Sequence, residues 1–201
     1  LDIGCIVLAG GGGQRLGQNK ALETIAERSL LEWVLYRLSF LDSDVLLVTT
    51  KELPYPWLRD YPRLRLVSDL YPGKGPLGGI YTGLKFISSG YGLVVACDMP
   101  FLNQGLLRYM LELSAGFDLV IPRLGELVEP LHGVYAKACL APIERLLEQG
   151  VLSVRELFSL VRVRYVEAEE IDRFDPSHLS FFNINTKSEL AKAKALLREE
   201  T

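Results

Sequence analysis

The six residues Ile3-Gly4-Cys5-Ile6-Val7-Leu8 run, through Ala9, straight into four consecutive glycines, Gly10 to Gly13. An apolar run of that length fits a strand covered on both faces. Glycine loses more backbone entropy on folding than any other residue, so four in a row destabilise a chain unless the fold needs what only glycine allows. A buried strand that stops in such a turn leaves unpaired N–H groups around a concavity, and such concavities bind phosphate. Arg15 and Lys20 follow closely and add positive charge. The alternative is a flexible turn with two solvated cations. Two familiar phosphate motifs do not fit. The P-loop spacing fails because Gly12 to Gly17 is followed by Gln18 and Asn19, and the dinucleotide pattern fails because Leu16 stands where its last glycine belongs.

Further apolar runs at Val45 to Thr49, Arg65 to Val67, Leu93 to Cys97 and Leu119 to Ile121 read as strands. The first four of these five strands lack strict alternation, as expected when both faces are covered. Between them Leu30, Leu31, Val34, Leu35 and Leu38 recur at helical spacing behind the capping box Ser29-x-x-Glu32. A shorter helix is predicted over Ile80 to Ile87 after Gly78-Gly79, and another over Leu106 to Leu113 with Asn103 as its cap. Repeated strand-then-helix order predicts a layered α/β fold. In the second half, His132 to Ala136 and Val161 to Glu167 alternate like half-exposed strands, with helices over Pro142 to Glu148 and Val154 to Leu160. The sheet should therefore be mostly parallel and become mixed there. A last helix opens at the capping box Thr186-x-x-Glu189.

With 201 residues, 49% of them hydrophobic, the chain suits a single domain over residues 1–201 with a sizeable core. A formal charge of −3 argues against a broad nucleic-acid face, so any anion should be small and locally held. Cys5, Cys97 and Cys139 are too few and scattered for a disulfide framework or a Cys-x-x-Cys metal site, which fits a cytoplasmic protein. The apolar opening is short, has no basic leader and enters glycines, so neither a targeting segment nor a membrane span is expected. No exposed pattern compels assembly, and the expectation is a monomer or a weak homo-oligomer.

Three further segments could carry chemistry. In 69-DLYPGKGPLGGIYTGL-84, Asp69 ends a strand, and Gly78 with Gly79 would let the following helix approach a ligand; alternatively Pro72-Gly73 and Gly75-Pro76 are turn chemistry alone. In 93-LVVACDMPF-101 an apolar strand delivers Asp98 to its carboxyl end, the edge where open α/β sheets bind ligands. Magnesium needs few protein carboxylates, so Asp98 alone suffices as its ligand, unless it merely caps the turn before Pro100. Asn183 and Asn185, two apart in an expected strand and so on one face, could hold a phosphate or metal-bound water, or Asn185 could simply start the last helix. His132 reads as a structural, hydrogen-bonded histidine, and Cys97 as a packed apolar residue.

Taken in order, 8-LAGGGGQRLGQNKAL-22, Asp69 with 75-GPLGGI-80, 96-ACDMPF-101 and 181-FFNINTKSEL-190 resemble the molybdenum cofactor guanylyltransferases, the MobA-like nucleotidyltransferases, over nearly the whole chain. The resemblance implies a Rossmann-like three-layer α/β/α domain related to the nucleotide-diphospho-sugar transferases, with residues 1–100 as nucleotide-binding half and 101–201 as acceptor-binding half. It implies transfer of GMP from GTP to molybdopterin or its molybdenum-loaded form, releasing pyrophosphate, with Mg2+ as cofactor. By the same resemblance Leu8, Ala9, Gly10 and Gly11 contact the nucleotide, Lys20 and Asp69 help bind it, Asp98 holds magnesium, and Arg15 matches the arginine of the signature loop. Cofactor-delivery or molybdoenzyme-maturation proteins are the implied partners. Many relatives place an asparagine after the second strand where this chain has Thr49-Thr50-Lys51, which keeps cytidylyl transfer, or nucleotidyl transfer to a sugar phosphate or other small phosphate, open beside guanylyl transfer. A nucleotide-binding regulator or assembly adaptor without catalysis is the alternative from another class.

Overall fold

The computed structural model describes residues 2–9, 20–50 and 61–199, with Lys20, Arg198 and Glu199 described in their backbone only. In chain order the elements are β1 (Ile3–Leu8), a one-turn 3-10 helix at Lys20–Leu22, the small hairpin β2 (Thr24–Ile25) and β3 (Arg28–Ser29), and α1 (Leu30–Leu38). Then come β4 (Val45–Thr49), β5 (Leu64–Ser68), α2 (Gly75–Phe86), β6 (Tyr91–Ala96) and α3 (Gln104–Leu113). The second half holds β7 (Leu119–Leu124), β8 (Leu127–Val128), β9 (His132–Ala136), α4 (Leu140–Glu148), β10 (Val163–Val166), α5 (Ala168–Ile171) and α6 (Lys187–Glu199).

Among the described residues one sheet runs in the order β10-β7-β9-β6-β1-β4-β5, with β8 beside β7. The pairs β5–β4, β4–β1, β1–β6 and β7–β10 are parallel, while β9 is antiparallel to both β6 and β7. The mixed sheet expected from the second half is thus produced by β9 together with the short β8 hairpin arm.

Alternate residues of each central strand face opposite layers. Cys5 and Val7 of β1 pack with α1 and α3 through Val34, Leu38, Leu107 and Met110. Ile6 and Leu8 pack with α2 and α4 through Ile80, Leu84, Ile143 and Leu146. This is the three-layer α/β/α arrangement, and each fully buried Leu or Ile in it contributes about 1.5–3 kcal/mol. Helix α2 lies tight on β1: a Cβ built on Gly83 would stand 2.3 Å from Ile6 Cγ2. Helix α1 starts where expected, with Ser29 Oγ accepting from Glu32 N and Glu32 Oε2 accepting from Ser29 N. Asn103 caps α3 by accepting from Leu106 N.

Five expectations change. Helix α2 begins at Gly75 rather than Ile80, because Pro76 occupies its first turn, where proline starts a helix instead of breaking one. Strand β5 is not covered on both faces; it is the sheet edge and half exposed. Strand β9 is buried throughout instead of half exposed, since it lies between β6 and β7 and the Tyr135 hydroxyl donates to Pro130 O at 2.7 Å. Residues Val154–Ser159 form 3-10 turns rather than an α-helix. Asn183 and Asn185 lie in irregular backbone before α6, not in a strand.

Candidate active site

The chain steps from β1 outward to β4 and β5, then returns to the other side of β1 as β6. That reversal opens a crevice at the carboxyl ends of β1 and β6, the place where open α/β sheets take ligands. At this edge Leu8 sits opposite Ala96, and Cys97 N donates to Leu8 O at 3.1 Å. Ala9 N turns the other way and donates to Val48 O at 2.9 Å. The two strands part here, β1 leading into Ala9 and β6 into half-buried Asp98.

Asp98 O accepts from Ile184 N at 3.1 Å, so the segment holding Asn183 and Asn185 is drawn to the same edge. Ile184 is buried against Ile25, Leu30 and Phe101. Asn183, half-buried, donates from Nδ2 to Phe181 O at 3.3 Å, and Asn185 donates its backbone N–H to Glu189 Oε2 at 2.7 Å. This segment is supported by buried Asp175, whose carboxylate accepts from Leu179 N at 3.1 Å and Ser180 N at 2.8 Å. Ser180 Oγ in turn accepts from Asn103 N at 3.0 Å, tying it to the start of α3.

On the far side of the crevice Asp69 follows β5 and donates its N–H to Thr49 O at 2.9 Å. Its Oδ1 accepts from Tyr71 N at 3.0 Å and from the Thr82 hydroxyl at 2.8 Å. Asp69 and Asp98 follow strands three places apart, β5 and β6. At ~4.8 Å per strand the two strands lie about 14 Å apart along the edge, a span that suits a ligand with different groups at its two ends.

Leu8, Ala9, Asp98, Asn183 and Asn185 are therefore brought together, with Asp69 farther along the same edge. Gly78 lies inside α2, where its bareness admits the protein's own chain: a Cβ there would stand 2.9 Å from Tyr71 O. Gly10, Gly11, Arg15 and the Lys20 side chain lie outside the described residues. Sequence reasoning missed Thr82 and Asp175. Thr82 left one signal, a hydroxyl four and three residues after Gly78 and Gly79, on the helix face those glycines share; Asp175 left none.

Burial pushes the Cys5 thiol up to about 11 and Cys139 up to about 12. It pulls His132 down to about 4, with Asp175 opposing. Neither ring nitrogen of His132 meets a hydrogen-bond partner among the described residues, unlike the hydrogen-bonded histidine expected from the sequence. These groups do not form an activated nucleophile and base. What the described edge offers is carboxylates and side-chain amides, which suits chemistry run by position and charge.

A sheet of this order, with the end of β1 and the acid-bearing turn after β6 meeting at its reversal, defines a nucleotide-binding α/β protein. Residues 5–167 match the MobA-like NTP transferase domain. A probable molybdenum cofactor guanylyltransferase of Pelotomaculum thermopropionicum is 38% identical over 95% of this chain and 91% of its own length. The molybdenum cofactor guanylyltransferase of Desulfosudis oleivorans is 35% identical over 96% and 95%. The chain belongs to the MobA-like NTP transferase family, on its molybdenum cofactor guanylyltransferase branch, and is a nucleotidyltransferase. The crystal structure of molybdopterin-guanine dinucleotide biosynthesis protein A from Archaeoglobus fulgidus superposes with a TM-score of 0.83 at 30% identity, covering 97% of this chain and 98% of that one. A Thermus thermophilus 2-C-methyl-D-erythritol 4-phosphate cytidylyltransferase shares the fold at 19% identity, with a TM-score of 0.71 over 98% and 100%. Among the described residues no helix is long and apolar enough to cross a membrane.

Proposed function

We propose that this chain transfers GMP from GTP to the phosphate of molybdopterin or its molybdenum-loaded form, releasing pyrophosphate. The observation that carries this reading is the delivery of Ala9 and Asp98 to the β1/β6 reversal, where Cys97 N donates to Leu8 O, in a chain matched over 95% and 96% of its length by two guanylyltransferases. An oxygen of the pterin phosphate bonds to the α-phosphorus of GTP, the bond from that phosphorus to the β-phosphate bridging oxygen breaks, and pyrophosphate leaves. The attacking oxygen is already anionic near pH 7, so no general base is needed.

The residues divide the work along the edge. Leu8, Ala9, Gly10 and Gly11 bring bare main chain against the phosphates, where a side chain would hold the triphosphate off. Arg15 and Lys20 neutralise charge on the departing pyrophosphate. Asp69, with Gly78 behind its loop, holds the nucleoside end. Asn183 and Asn185 orient the phosphate nearest Asp98. Residues 1–100 thus serve the nucleotide and 101–201 the acceptor.

A half-buried carboxylate at the end of a strand fits magnesium, which takes oxygen ligands and keeps most of its waters. Asp98 would hold it, and the bound ion supplies charge neutralisation at the α-phosphate. The test compares pyrophosphate release from GTP and CTP in the presence of molybdopterin. Release with GTP and little with CTP supports the reading. Faster release with CTP makes the chain a cytidylyltransferase, with Thr49 and Thr50 in place of the usual asparagine as the first residues to examine. Tight GTP binding without release under either nucleotide overturns catalysis altogether.

A further inference from the structure

The Thr82 side chain is fully buried in the middle of α2. Valine has the same shape and would fill that place without a polar atom to satisfy. The hydroxyl therefore needs a reason, and its contacts give one. Thr82 Oγ1 accepts from Leu70 N at 3.0 Å, and lies 2.8 Å from Asp69 Oδ1 and 2.9 Å from Gly78 O. It has one proton for those two acceptors. A helical threonine left to itself donates to the carbonyl four residues back, here Gly78. An ionised carboxylate is the stronger acceptor, so the proton goes to Asp69.

One side chain thus grips both the Asp69 carboxylate and the backbone just after it. With Tyr71 N also on Oδ1, that oxygen has two protein donors, and no hydrogen bond among the described residues uses Oδ2. The rest of the loop is clamped to the same helix. Gly78 lets Tyr71 O approach, and the Tyr71 ring meets Tyr81 edge to face at 5.3 Å between centroids. Tyr81 is itself anchored, its hydroxyl donating to Glu144 Oε1 at 2.6 Å. Helix α2 therefore acts through the loop it carries.

We infer that Thr82 is a positioning residue of the nucleotide site, fixing the Asp69 carboxylate so that Oδ2 faces a donor on the nucleoside of GTP. The inference rests on the reading that Asp69 binds GTP. An Oδ2 held in one direction meets a ring N–H or ribose hydroxyl without first losing rotamer freedom, which favours binding in the ground state and the transition state alike. The effect should fall on KM and leave kcat nearly alone.

The experiment measures KM, kcat, equilibrium GTP affinity and thermal midpoint for the full chain and for Thr82→Val, Thr82→Ser, Asp69→Ala and the Thr82→Val/Asp69→Ala double variant. Thr82→Ala serves as a second hydroxyl-free variant should Thr82→Val fold poorly. Loss of one hydrogen bond to a charged group predicts a KM raised about tenfold in Thr82→Val, with kcat little changed. Thr82→Ser, which keeps the hydroxyl, restores KM. On the Asp69→Ala background Thr82→Val adds nothing further, because the group through which it acts is gone. A thermal midpoint lowered with KM unchanged would make Thr82 merely structural and overturn the inference. So would a KM effect that multiplies undiminished onto Asp69→Ala. If Asp69→Ala itself binds GTP as the unaltered chain does, the nucleotide role of Asp69 fails and the inference falls with it. An Asp69 effect without a Thr82 effect sinks the inference alone.

Discussion

His132 offers a stability measurement whose size follows from its surroundings. It opens β9 with no exposed surface, meets Phe181 edge to face at 5.1 Å between centroids, and has no described hydrogen-bond partner on either ring nitrogen. Burial lowers its pKa from 6.5 to about 4, and the nearby Asp175 charge offsets this only in part. The unfolded chain takes up a proton as the pH falls through 6.5, while the folded chain refuses it until about 4. Stability is therefore complete above the unfolded value, falls by about 1.4 kcal/mol per pH unit through the window, and levels off below it. The total loss is about 3 kcal/mol.

Replacing His132 with leucine removes both the titration and two unpaired nitrogens. The variant should match or exceed the unaltered protein at pH 7.5, since an apolar group of similar size avoids the cost of unmade hydrogen bonds. Urea unfolding of both proteins from pH 7.5 to 4 gives the test, because contributions from the carboxylates common to both cancel in the difference. The difference should shift by about 3 kcal/mol in favour of His132→Leu as the pH falls. A difference that stays flat across the window refutes the buried, neutral imidazole.

Three other outcomes follow from packing and caps. Gly83→Ala gains helix propensity but drives a methyl into Ile6, for a net loss of about 1–2 kcal/mol in chemical denaturation; Gly90→Ala, with open space around it, should be near neutral. Ser29→Ala removes the hydroxyl half of the α1 capping box, leaving the backbone N–H on Glu32 Oε2, and should cost about 1 kcal/mol, read as a lowered thermal midpoint. Cys5 and Cys139, buried and with raised thiol pKa, should resist alkylation at pH 8 in the folded chain and label readily in urea.

The inner strands were legible because a strand covered on both faces reads as an unbroken apolar run, as in β1, β4 and β6. The capping residues Ser29 and Asn103 were legible for a local reason, since each bonds to a backbone N–H three residues on. The start of α2 was misplaced because Pro and Gly mark turns as well as first helical turns, and only packing on Leu8 and Ile6 decides between them. Strand β9 looked half exposed because His132 and Tyr135 carry polar atoms; its place between β6 and β7 is set by long-range pairing. At the site, Asp98 could be placed from the strand that delivers it. Its closeness to Asn183 and Asn185 rests on a hydrogen bond across 86 residues to Ile184, and the grip of Thr82 on Asp69 on one across a loop and helix turns. Neither contact has a sequence pattern.

The central claim is that the β1/β6 crevice performs magnesium-dependent nucleotidyl transfer through Asp98. It is tested most directly by following label from the α-phosphate of GTP onto molybdopterin in the unaltered chain and in Asp98→Asn, with and without a chelator of divalent cations. Label should reach the pterin, chelator should stop it, and Asp98→Asn should slow it by about two to three orders of magnitude at an unchanged thermal midpoint. Transfer by Asp98→Asn at the unaltered rate would contradict the account.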